Sequence, residues 1–153
     1  MKSDRPLKHF ILAFLLALIC YVFFYHTIEH RRTRKGPWEL TFTNDFNGNP
    51  ALLINEPKLA ITNAQITFTD RRIPTAFAPT TQVFSEPRPV PYDVPFGKCL
   101  FMDTTFLPGT VMLRLYDHDI ELVPRVLKID GQEHPWLSGS TITLHPVPQG
   151  ATP

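Results

Sequence analysis

The chain has 153 residues and a formal net charge of +1, but the charge is unevenly divided. Residues 1–35 carry seven Lys/Arg against two acids, and residues 36–153 carry eight against twelve. The larger part is therefore mildly acidic and lacks the basic face that nucleic-acid binding requires, so nucleic acid is not an expected partner.

The first element is a membrane span. Residues 10–25 read FILAFLLALICYVFFY, with no charged or strongly polar side chain. Extended to residues 10–28, the run approaches the roughly 20 residues that cross a hydrocarbon core of about 30 Å as a helix. Basic residues flank it: Lys2, Arg5 and Lys8 before, and Arg31, Arg32, Arg34 and Lys35 after. Such side chains favour anionic lipid head groups by about 1 kcal/mol each, which makes the bilayer the first expected partner. A cleaved leader would have a shorter apolar core ending in small residues. This run ends in Phe23, Phe24, Tyr25 and His26, and Ile19 before Cys20 does not suit a lipoprotein site. The expectation is an uncleaved signal anchor: a basic tail at 1–9, a transmembrane helix at 10–28 and a basic linker at 29–37. Positive charge is nearly balanced across the helix. The usual arrangement of short-tailed anchors puts the following domain outside the cytoplasm, and the basic run after the helix opposes it.

From residue 38 the pattern changes to short strands. Sixteen prolines, about twice the usual share of roughly 5%, disfavour long helices here. Trp38, Leu40 and Phe42 alternate with polar residues, and Asn47-Gly48 within NDFNGNP marks a tight turn. A second run follows at 51–54. Leu59 and Ile61 alternate on odd positions and Ala64, Ile66 and Phe68 on even ones, which requires a bulge or turn near Asn63. Residues 71–95 hold prolines 74, 79, 87, 89, 91 and 95 and are expected to form a long irregular loop of the kind that often binds. Residues 98–106 predict a strand, and Leu107-Pro108-Gly109 a turn. Val111, Leu113 and Leu115 predict an inward face, and Asp117-His118-Asp119 a hairpin connection. Ile120 and Leu122 alternate, Pro124 interrupts as at an edge or bulge, and Leu127 and Ile129 resume. Asp130-Gly131 signals a hairpin, and Ser138-Gly139-Ser140 leads into a last strand at 141–144 before a tail at 147–153. Seven or eight short strands between turns predict a mainly β protein. Behind its one helix stands a small antiparallel β-sandwich or barrel-like domain at 38–146. The Cys–Trp–Cys pattern of immunoglobulin domains is absent, since Cys99 is alone in the domain and Cys20 lies in the apolar run.

No catalytic, cofactor or metal site is expected. Asp117-His118-Asp119 could orient an imidazole, but a turn accounts for both aspartates. Cys99 with Met102, Met112, His118, His134 and His145 supplies soft donors suited to copper, yet no His follows Cys99 closely. There is no G-x-S-x-G elbow, phosphate loop or C-x-x-C pair. Tyr92, Tyr116 and Trp136 could form an aromatic platform for a glycan or peptide, so Tyr92, Cys99, Tyr116, His118 and Trp136 are the interaction candidates. The expected function is a non-enzymatic, membrane-anchored domain of the cell envelope. It would contact another membrane or envelope protein through sheet edges or the Pro-rich loop. Tethered binding of a metal or glycan is the alternative.

Overall fold

The computed structural model describes residues 5–32, 35–73 and 77–146. Lys2, Arg34, part of the Pro-rich segment (74–76) and the tail at 147–153 lie outside these residues. The chain divides into two units, residues 1–34 and 35–153.

The first unit contains one helix, α1 (Arg5–Arg32), of 28 residues. At 1.5 Å per residue it is about 42 Å long, so it exceeds the hydrocarbon thickness of a bilayer. It extends beyond the apolar run at both ends because the flanking residues include few helix breakers. Its large apolar side chains are exposed on every side, and none of its most apolar window is buried by protein. A helix that is apolar all round needs a nonaqueous environment. This one is long and apolar enough to cross a membrane.

The second unit is an open sandwich of eleven strands in two sheets, more strands than the sequence pattern predicts. The strands are β1 (Trp38–Asn44), β2 (Pro50–Glu56), β3 (Ile61–Phe68), β4 (Thr80–Phe84), β5 (Tyr92–Val94) and β6 (Gly97–Asp103). They continue with β7 (Thr110–Leu115), β8 (His118–Val123), β9 (Val126–Ile129), β10 (Gln132–His134) and β11 (Thr141–Leu144). The first sheet runs β11-β3-β2-β1-β4 and the second β10-β9-β8-β7-β6-β5. Neighbours are antiparallel except β11, which lies parallel to β3. It can do so because the chain crosses from the second sheet to the first before β11 begins.

Period-two alternation builds the core. Trp38, Leu40, Phe42, Leu52, Ile54, Ile66 and Phe68 from one sheet meet Val111, Leu113, Leu115, Ile120 and Leu122 from the other. Aromatic contacts close both ends. At one, Trp38 packs on Trp136 with ring centroids 5.3 Å apart. At the other, Phe96 touches Phe42, Phe77 and Tyr116, and Tyr116 touches Phe68.

Three local expectations need correction. The segment 71–95 is not uniformly irregular, since it contains β4 and β5. Pro124 sits in the β8–β9 hairpin turn, not at a strand edge. Asp117-His118-Asp119 is not a connection: the turn is Tyr116-Asp117, both with positive φ (48° and 70°), and His118 begins β8 as a buried residue. Two consecutive left-handed residues suit the twist of a tight hairpin.

Gly109 and Gly131 both have positive φ, 68° and 79°. A Cβ on Gly109 would overlap the Asp103 carbonyl, whereas one on Gly131 would meet nothing within 4 Å. Gly131→Ala is therefore expected to cost about 1–2 kcal/mol of backbone strain. Gly109→Ala should cost at least about 2 kcal/mol more, because overlap adds to the same strain. Urea unfolding of the full chain in detergent measures both.

Candidate functional site

The five candidate residues fall in three places. Tyr92 and Cys99 are register partners across β5 and β6. Leu100 is the extra residue of a bulge, where the β6–β7 register shifts between Cys99 and Phe101. That shift changes the strand's phase and brings Met102 to the side of Tyr92, whose hydroxyl donates to Met102 Sδ at 3.8 Å. Cys99 is fully buried and its thiol donates to the Phe101 carbonyl oxygen at 3.5 Å. Burial raises the pKa of the Cys99 thiol, and burial with the neighbouring Cys99 does the same for the Tyr92 phenol. A thiol held in its neutral form is a poor nucleophile and a poor metal ligand.

Tyr116 and His118 both pack on Phe68, at 5.3 and 6.1 Å between centroids. His118 Nδ1 lies 2.7 Å from Asp130 Oδ2, and Asp130 Oδ1 accepts from the Asp119 backbone N–H at 2.9 Å. This dyad ties β8 to the β9–β10 hairpin. Asp119 forms a two-pronged pair with Arg114, at 2.8 and 3.1 Å. Trp136 stands apart, donating from Nε1 to the Val123 carbonyl oxygen at 2.9 Å beneath Trp38. Tyr92, Tyr116 and Trp136 therefore form no common platform. Among the described residues, no group of three or more His, Cys, Asp or Glu side chains is arranged to hold a metal.

The sequence pattern missed Glu56, a buried carboxylate. It accepts from the Leu59 backbone N–H at 2.5 Å and caps the single 3-10 turn at Pro57–Leu59. Desolvation raises its pKa and outweighs the lowering effect of bonds from the Leu59 and Lys58 backbone.

The open edges of the two sheets differ in protection. β5 and β10 have three residues each and β11 four; a proline lies within two residues of each, as Pro79 lies next to β4. β4, TTQVF, is longer, carries no charge and contains no proline. Its Val83 is 52% exposed. One side of β4 pairs with β1 in register from Trp38↔Phe84 to Phe42↔Thr80, and the other side has no strand partner among the described residues. A cleft of about 330 Å³ runs along it, lined by residues 81–85 and by Glu86, Arg88, Tyr92 and Met102. Arg88 is held over the Tyr92 ring at 5.4 Å. Natural sheet edges are commonly blocked by charge, proline or bulges, and β4 has none of these. The only sequence signal for it is five uncharged residues, three of them β-branched, set between Pro79 and Pro87.

A concavity beside Arg71, Lys98 and Arg114 looks basic, but each cation faces an acid, respectively Asp117, Asp93 and Asp119. No family of proteins, characterised protein or solved structure matches the chain.

Glu56 yields a pH prediction. The folded state binds its proton more tightly than the unfolded state, whose value is near 4.5, so stability falls as pH rises from there through the raised folded value. Comparing urea midpoints from pH 4.5 to 7 should show this decline in the native chain. Glu56→Gln should flatten it.

Proposed function

We propose that the protein is a single-pass, membrane-anchored and non-enzymatic envelope component whose β domain docks an extended segment of another membrane or envelope protein. The observation that carries this reading is the unblocked edge of β4 with its adjoining cleft. An added strand would satisfy the outward backbone groups of β4 by main-chain hydrogen bonds. Side chains alternating along it would reach Val83 on one side and the cleft with Tyr92 and Met102 on the other. The apolar circumference of α1 supports its role as the tether.

Under this proposal the domain lies outside the cytoplasm. The native thiols offer little background, since Cys99 is buried and Cys20 lies within the apolar span. A Gln132→Cys variant places a thiol on an exposed strand. A membrane-impermeant maleimide should label it in intact cells, and labelling only after lysis would place the domain on the cytoplasmic side.

The docking edge is tested by photo-crosslinking. A photoreactive residue at position 83 should give a defined adduct with one membrane or envelope protein, and Thr81→Lys in the same chain should abolish it. The same probe at position 46, remote from β4, should give none. An adduct insensitive to Thr81→Lys, or no adduct at position 83, would refute edge docking.

A further inference from the structure

We infer that the outer face of the first sheet, beside Phe46, is a binding site for a neutral oligosaccharide. This face lies away from the core, and the concavity on it shares no lining residue with the cleft along β4. The strand register places side chains in rows across it. One row is Thr143, Thr67, Ala51 and Thr43. The next is Thr141, Gln65, Leu53 and Thr41. Ala51, the smallest side chain in its row, is fully buried. With the β1–β2 turn at one end, Thr43, Leu53, Gln65, Thr67, Thr141 and Thr143 of these rows bound a concavity of about 580 Å³. That falls within the roughly 300–1,000 Å³ of small-molecule sites.

The chemistry selects the ligand class. No Lys, Arg or His lines the concavity, so nothing there recognises an anion. Its single carboxylate, Asp45, is occupied: Oδ1 accepts from the backbone N–H groups of Asn47 and Asn49, each at 2.8 Å, and Oδ2 from the Asn49 amide at 3.0 Å. What remains is an array of hydroxyl and amide groups, each able both to donate and to accept, which matches the dual character of sugar hydroxyls. Thr67 Oγ1 already accepts from Gln65 Nε2 at 3.2 Å, which orients that amide across the face.

Phe46 supplies the apolar half of sugar recognition. Its side chain is fully exposed at the tip of the β1–β2 turn. The bonds to Asp45, with Gly48 N–H donating to the Asp45 carbonyl oxygen at 3.1 Å, fix the turn that carries it. The backbone that carries the ring is thus set before binding, which lowers part of the ordering cost of stacking on a pyranose face. A protein partner fits this surface poorly, because the centres of protein interfaces are apolar and this concavity is lined mostly by Thr, Asn and Gln.

The experiment uses the full chain in nanodiscs, free of sugar-based detergent, titrated with maltohexaose, cellohexaose and chitohexaose and read by saturation-transfer NMR. At least one should bind with a Kd of about 1 mM or tighter. Phe46→Ala and Thr143→Val should each weaken that binding at least about fivefold. Both positions are exposed, and valine keeps the shape of threonine without its hydroxyl, so neither change threatens the fold. Val83→Lys, on the β4 edge, should leave sugar binding unchanged. The inference fails if none of the three sugars binds at ~10 mM. It also fails if binding survives both Phe46→Ala and Thr143→Val, or if Val83→Lys alone abolishes it.

Discussion

The contact between Trp38 and Trp136 is the joint on which the sandwich depends. Trp38 opens β1 in the first sheet, yet its Nε1 donates to the Gly109 carbonyl oxygen at 3.0 Å, in the turn that enters β7 of the second. Trp136 lies on the crossover from β10 to β11 and is fastened to the end of β8 by its bond to Val123. Two rings packed at a tilt of 33° therefore join both sheets and the chain that passes between them. Each ring buries a large apolar area while its one polar atom stays satisfied, which is the condition for placing tryptophan deep in a core. With that end fixed, the first sheet can leave the outer edge of β4 open, with no strand partner among the described residues, without the layers separating.

The parts of this architecture set by local chemistry could be read from the sequence. The long apolar helix, the inward faces of β1, β7 and β8, and the turns at Asn47-Gly48 and Asp130-Gly131 follow from apolar runs, alternation and residues that tolerate positive φ. What remained hidden depends on partners distant in sequence. β4 exists because β1 offers it a ladder, and its own residues show almost no inward-outward contrast. Simple alternation along 98–106 does not reveal the bulge at Leu100, which brings Met102 to the side of Tyr92. The sequence marks His118 as a turn residue because Tyr116, an unusual left-handed residue, gives little sign of taking the turn in its place.

The functional surfaces were less legible than the fold, for a related reason. Aromatic residues drew attention as a platform, but packing consumes Tyr92, Tyr116 and Trp136. The exposed aromatic side chain that matters to the sugar face, Phe46, is surrounded by Asn, Asp and Gly and reads as mere punctuation in a turn. Its setting among threonines emerges only when β11, β3, β2 and β1 are aligned across the sheet. The β4 edge is similarly defined by a neighbour it does not have. A pattern search along the chain detects residues that are present, whereas an open edge is a property of the assembled sheet.

The parallel pairing of β11 with β3 bears on the order in which the domain is made. Thr141–Leu144 covers the flank of β3, and the Thr69 N–H and hydroxyl both reach the Leu144 carbonyl oxygen at 2.9 Å. During synthesis from the N terminus, β1, β2 and β3 emerge early, but this flank stays bare until residue 144 has followed. Antiparallel hairpins can close as they appear; this strand cannot, because its partner lies far upstream. A chain emerging at a membrane would therefore carry two open flanks of one sheet, β3 and β4, for most of its synthesis. The first closes from within when the last strand arrives, and the second stays open in the finished domain.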